Sequence, residues 1–177
     1  MLLGLWLSCV QENTDTADVD TCHESRPLIS IGSTEQIFEP LEEEEPVTMV
    51  HGPQGGWHIL GSIYLEHTKN IVEIEFKIFD EESGNIISDN NYRVGLIMEE
   101  ECSGFYPGMY GYLNVSELAS EEGSTPPALL ENHLLRMYMR VNDCTESQNA
   151  EGLCSRAERW GEGEAYVRAA LDPIDMD

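Results

Sequence analysis

The sequence predicts an all-β chain folded as an antiparallel, immunoglobulin-like β-sandwich, with a small β-barrel as the alternative closure of the same strands. Apolar residues recur at every second position in run after run, the signature of strands with one buried face. Clusters of Gly, Pro, Asn and Ser punctuate those runs at short intervals. No apolar period of 3.6 residues continues long enough for a full helix, so the crossover helices of a parallel sheet are missing.

The strands follow in chain order. "PLISIG" and "PVTMVHG" are short early candidates. "WHILGSIYLEH" places Ile59, Ile63 and Leu65 on one face with Gly61 between them. "NIVEIEFKIFD" is the clearest alternation: Val72, Ile74, Phe76 and Ile78 oppose Glu73, Glu75 and Lys77. "NYRVGLIMEE" gives Tyr92, Val94, Leu96 and Met98, and "HLLRMYMRVND" gives Leu135, Met137, Met139 and Val141. "EAYVRAALDP" closes the chain with Ala165, Val167, Ala169 and Leu171. Gly84 in "DEESGN" sits where a hairpin loop wants a positive φ. "SGFYPG" and "SEEGSTPP" read as longer connections, and "VSELAS" as a short helical turn. That makes about six to eight strands, near the size of an immunoglobulin-type sandwich. Their polar outer faces exclude a membrane barrel, whose outward face must be apolar.

Of 177 residues, nine are Lys or Arg and 34 are Asp or Glu, for a net charge of −25. So acidic a surface repels phosphate backbones and anionic head groups, which excludes nucleic acid as a partner. With 41% hydrophobic residues the chain still has material for a core, and its length fits one domain.

"MLLGLWLSC" is apolar up to Ser8 and turns polar directly after Cys9. It reads as the end of a lipoprotein-type signal, residues 1–8, with Cys9 as the acylated residue. No Lys or Arg precedes the apolar run, as an n-region would require, and eight apolar residues are too few to span a bilayer. Residues 9–26 form an acidic tether without hydrophobic periodicity, and 27–177 one sandwich domain. Setting Cys9 aside leaves Cys22, Cys102, Cys144 and Cys154, an even number suited to two disulfides in an oxidising compartment. Cys144 and Cys154 flank one polar loop and are the natural local pair, leaving Cys22 with Cys102. Four cysteines allow three connectivities, and CxxC or HxxxH zinc spacing is absent.

"MVHGPQGGWH", residues 49–58, admits two readings. A tight return could bring His51 and His58 together, with Met49 adding a thioether, as a copper(I) clip. Alternatively Pro53, Gly55 and Gly56 shape a corner that launches a strand, with Trp57 covering one end of the sandwich. Calcium is a second cation to weigh, because "EEEE" (Glu42 to Glu45) and "MEEEC" could supply oxygens, although the D-x-[DN]-x-[DN]-G order is missing. "GFYPGMYGYL" offers Phe105, Tyr106, Tyr110 and Tyr112 as an exposed aromatic contact loop, or as cover for an open sheet edge.

For catalysis there is no G-x-S-x-G elbow and no P-loop lysine, and paired carboxylates discriminate nothing in so acidic a chain. The expectation is therefore a non-catalytic protein without a cofactor.

Residues 29–65 resemble a pattern in uncharacterised secreted lipoproteins of myxobacteria-like bacteria. The matching positions run from Ile29, Ile31 and Gly32 through Phe38, Pro40 and Leu41 to Gly52, Pro53, Gln54, Gly55, Gly56, Trp57 and His58. The chain departs from it at Glu42 to Glu45, where the pattern has an Asp-Gly turn. The resemblance implies an exported, sandwich-like domain and assigns no activity. The sequence thus points to a lipid-anchored protein of the bacterial envelope, in the periplasm or on the outer membrane. Its sandwich would contact a protein or glycan, with a periplasmic metal-binding role as the alternative.

Overall fold

The computed structural model describes residues 22, 25–53, 55–116, 118, 125–143 and 160–172. Among them are nine strands and one short helix. In chain order these are β1 (Leu28–Gly32), β2 (Glu45–His51), β3 (Trp57–Glu66), β4 (Ile71–Asp80), β5 (Ile86–Gly95), β6 (Ile97–Glu100), β7 (Ser103–Tyr112), α1 (Pro126–Leu130), β8 (Leu134–Asp143) and β9 (Trp160–Leu171). The five main alternating runs all form strands. The buried set of β4 is Val72, Ile74, Phe76 and Ile78, and that of β8 is Leu135, Met137, Met139 and Val141.

The hydrogen-bonded order is β5-β4-β8-β9-β2-β3-β7-β6, with β1 also on β3. Folded over, this path makes two layers: β4, β8 and β9 with β5 at their edge, facing β1, β3, β7 and β6. That division is the immunoglobulin arrangement. The layers join through β2, which runs parallel to β9 (Glu45 opposite Val167) and antiparallel to β3 (Met49 opposite Ile59). β1 occupies the other half of the same β3 edge, pairing Leu28 with Glu66 and Gly32 with Ser62. Barrel-like closure is therefore confined to the β2 side; among the described residues no ladder joins β5 to β7.

Between the layers, Phe76, Ile78, Met137 and Met139 meet Ile59, Ile63 and Met109, all fully buried. Close approach depends on two glycines. A Cβ at Gly61 would lie 2.8 Å from the Phe76 ring and 2.9 Å from Met139 Cε, and one at Gly111 would lie 2.6 Å from Ile78 Cδ1. The Phe76 ring thus fills the space where two side chains are missing, and burying it is the largest single apolar contribution to the core.

Two connections differ from expectation. The "SGFYPG" stretch lies within β7, and the aromatic run is a ten-residue strand rather than a loop. Its pairing with β3 shifts between Gly61 (opposite Met109) and Ile63 (opposite Tyr106), so the interval with Pro107 and Gly108 is a bulge. A bulge is where a strand accepts a proline and a positive φ, and Gly108 has φ of 70°. α1 is built from "PPALL", with a proline in its first turn, where the missing N–H has no partner to lose. Within "VSELAS" the Leu118 N–H donates to the Val115 carbonyl at 2.9 Å. The β4–β5 hairpin turns at Gly84, with φ of 76°, as its sequence requires.

Cys22 and Cys102 are disulfide-bonded, with Cα atoms 5.0 Å apart and a sequence separation of 80. The bond pins the segment before β1 to the β6–β7 turn. Cys9, the 1–8 signal segment, most of the tether, and both Cys144 and Cys154 lie outside the described residues.

Candidate functional site: the aromatic face of β3 and β7

Residues 49–58 form the β2–β3 corner. Gly52 N–H donates to the Gly56 carbonyl at 2.7 Å and Gly55 N–H to the Gly52 carbonyl at 2.9 Å, with Gly55 at φ of 87°. In the ladder His51 faces Trp57, whereas His58 faces Val50. Successive residues of a strand project to opposite faces, so the two imidazoles part instead of converging. His51 lies against the Trp57 ring at 4.8 Å, and His58 against Tyr110 at 4.7 Å. Met49 is fully buried in the core. Of the two readings of this stretch, the register assembles the strand-launching corner and sets His51 and His58 on opposite faces. Among the described residues no three His, Cys, Asp or Glu side chains cluster as a metal site. Glu44, from the run weighed for calcium, pairs with Arg168 at 2.6 Å, and Glu45 accepts from the Glu42 N–H at 2.9 Å.

What the register does assemble is an aromatic face. On the outer side of the β1-β3-β7-β6 layer, Val50, His58 and Tyr112 form one cross-strand row, and Leu60 and Tyr110 the next. Tyr110 and Tyr112, two residues apart on one strand, stack at 5.8 Å with their planes 18° apart. They are 41% and 57% exposed, whereas His58 beside them is only 6% exposed. His58 meets both rings edge-on, at 4.7 Å and 6.2 Å. Burial pushes the His58 imidazole below its ordinary pKa of 6.5, so it is neutral at neutral pH. Tyr92 reaches across from β5 and donates to the Tyr110 carbonyl at 2.5 Å.

The bulge sorts the four aromatics named from sequence. Tyr110 and Tyr112 stay outside together. Tyr106 turns inward, opposite Ile63, and packs on the core. Phe105 stays outside but half-buried, opposite Tyr64. Only Tyr110 and Tyr112 of the four stand exposed side by side.

Beside the tyrosines lies a groove of about 240 Å³, floored by Val50 and Leu60 and walled by Thr34, Leu41 and Thr48, with Glu39 and Glu45 on its rim. Its outer wall is the 33–41 connection, which is tied down over β3. Ser33 Oγ donates to the Leu60 carbonyl at 2.8 Å, and Gly108 N–H to the Thr34 carbonyl at 3.0 Å. Leu60 neighbours Tyr110 across the ladder, so groove and tyrosine platform are continuous.

Sequence reasoning missed one pair with a buried carboxylate. Asp80, 1% exposed, accepts from His133 Nδ1 at 3.0 Å and from the Ser83 N–H at 3.1 Å. Burial alone would raise the Asp80 carboxyl, but the bonds from Ser83 and His133 outweigh it and hold the pKa down. His133 Nε2 lies 3.6 Å from Glu82, a carboxylate where a catalytic dyad would hold a hydroxyl, so the pair ties the β4–β5 hairpin to the start of β8. The 53 residues separating Asp80 from His133 hid it.

The fold and this face define an immunoglobulin-like sandwich that carries a stacked tyrosine platform. No family model matches the chain, and no curated protein matches it. Among solved structures it is similar to the CooA pilin subunit from enterotoxigenic Escherichia coli. The identity is 9%, over 81% of this chain and 99% of that chain, with a TM-score of 0.31. At that score the likeness carries no argument.

Proposed function

We propose that the chain is a non-catalytic interaction module of a lipid-anchored envelope protein, and that it contacts a protein or glycan through the Tyr110–Tyr112 face. The observation that carries this reading is the stacked pair of exposed tyrosines, flanked edge-on by buried His58. Rigid aromatic rings supply contact area with little side-chain entropy to lose, which suits them to recognition surfaces. The adjoining groove supplies hydroxyls and carbonyls for hydrogen bonds beside that apolar surface. Support for export and anchoring is the sequence around Cys9 together with the disulfide, which belongs to oxidising compartments.

The test is affinity capture of the anchored protein from its own envelope, wild type against a Tyr110→Ser/Tyr112→Ser double variant. Loss of a bound protein or glycan in the variant, with unchanged thermal unfolding, is expected. A partner set identical in both would remove the tyrosine face from the proposal. Intact mass of the exported protein tests the anchor, since an unmodified Cys9 with the apolar segment still attached rules it out.

A further inference from the structure

Among the described residues, β5 has a ladder on one side only, to β4. Leu96 N–H donates to the Asn70 carbonyl at 2.7 Å, so even-numbered residues of β5 turn their backbone groups toward β4. The odd-numbered residues Asp89, Asn91 and Arg93 therefore turn theirs away. The same alternation is visible at Ile87, whose outward carbonyl accepts from the Asn114 N–H at 2.7 Å. All three odd-numbered residues are exposed.

We propose that this edge pairs with the same edge of a second copy, antiparallel and centred on Asn91. In that register Asp89 of each copy stands opposite Arg93 of the other, and the outward backbone groups of residues 89, 91 and 93 meet their counterparts. Within one copy Glu73 already faces Arg93 at 3.2 Å, and Lys77 faces Asp89 at 3.7 Å. Joining two copies therefore creates an alternating row, Glu73–Arg93–Asp89–Lys77, that runs across both sheets twice. Neighbouring registers lose this match. Centring on residue 90 or 92 leaves Asp89 opposite Asn91 or Gly95, and centring on 89 or 93 sets like charges face to face, which destabilises a pair. A two-fold interface must be self-complementary, and only the Asn91-centred register is.

Net charge argues for the same place. A chain of charge −25 repels its copy almost everywhere. Yet Lys77, Arg93, Arg136, Arg140 and Arg168, most of the described cations, project from the outer side of the layer that β5 borders. The copies meet where that repulsion is least.

Sedimentation of the full chain over a concentration series tests this. The wild type is expected to dimerise with Kd on the order of micromolar, as befits a small edge-to-edge interface. Asp89→Arg and Arg93→Asp each convert two attractions into repulsions and should each weaken association about tenfold or more. Mixed in equal amounts, the two variants should associate again. One copy then presents a basic side chain at both positions and the other an acidic one, so both cross-copy pairs are attractive. Asn91→Pro removes an outward N–H that no described neighbour accepts, so it should fold and remain monomeric. A wild type that stays monomeric throughout, single variants that associate like the wild type, or a mixture that fails to recover would each overturn the proposal.

Discussion

The two outer faces of the sandwich are built on the same strand period but filled with opposite chemistry. Over β4, β8 and β9 the outward positions are charged or amphipathic and answer one another across the ladder. Arg136 bridges Glu81 at 2.8 Å and Glu164 at 3.5 Å while stacking on Phe79 at 4.1 Å, and Tyr138 donates to Glu162 at 2.9 Å. Arg140 lies over Trp160 at 4.6 Å. Over β3 and β7 the outward positions are His58, Leu60, Tyr64, Tyr110 and Tyr112, part of them roofed by the 33–41 connection. The first face is satisfied by its own partners. The second leaves two large rings in water. A contiguous exposed aromatic surface is the informative kind, and for that reason the proposed contact surface is the second face.

Both faces rest on one core, so the largest perturbation should erase the contrast altogether. Phe76→Ala empties the space beneath Gly61 and Gly111 and should cost about 3–5 kcal/mol, with both faces lost in a single denaturant transition. Replacing Cys22 and Cys102 together by Ser acts on the aromatic layer, to which the disulfide anchors the chain. Removing a bond that closes so long a loop should lower stability by about 2–4 kcal/mol in denaturant titration.

A subtler probe is pH, which separates the faces through His58. Well above pH 6.5 the imidazole is neutral in folded and unfolded chains alike, and it contributes no pH dependence. Below 6.5 the unfolded chain binds the proton first, because burial depresses the folded value. Stability should therefore fall as pH drops through that window, and the fall should be absent in His58→Gln when both are compared by thermal unfolding. Asp80, whose pKa is also held down, acts in a lower window: its contribution is full above the ordinary carboxyl value of 3.8 and is lost as pH falls below it. The smallest effect belongs to the charged face. Arg93→Ala should change unfolding by no more than about 1 kcal/mol, since an exposed pair such as Arg93–Glu73 is screened by water.

Much of the fold was legible because burial on a strand alternates, and that alternation survives any tertiary context that buries one face. β4 and β8 could be read residue by residue on this basis. The candidate site was less legible for the same reason. Bulges break the period that sequence reading relies on: Pro107 and Gly108 look like loop residues, and only pairing with β3 makes them part of a strand. Of the two readings of the aromatic run, loop or sheet cover, the structure makes it a strand, and of the four aromatics named it leaves Tyr110 and Tyr112 exposed. The His51–His58 stretch admitted two readings because sequence spacing does not say which face a hairpin residue occupies. Spacing gave proximity; register gave direction.

The sequence by itself determined the all-β class, the inward residues of the main strands, the hairpin at Gly84 and the corner at residues 52–56. Each of these follows from local sterics or from a period of two. Tertiary structure alone decided the split of the first strands between two layers, the Asp80–His133 pair and the stacking of Tyr110 and Tyr112 beside His58. Those features join residues far apart in the chain, and their geometry exists only once the layers have chosen a register and closed on a shared core.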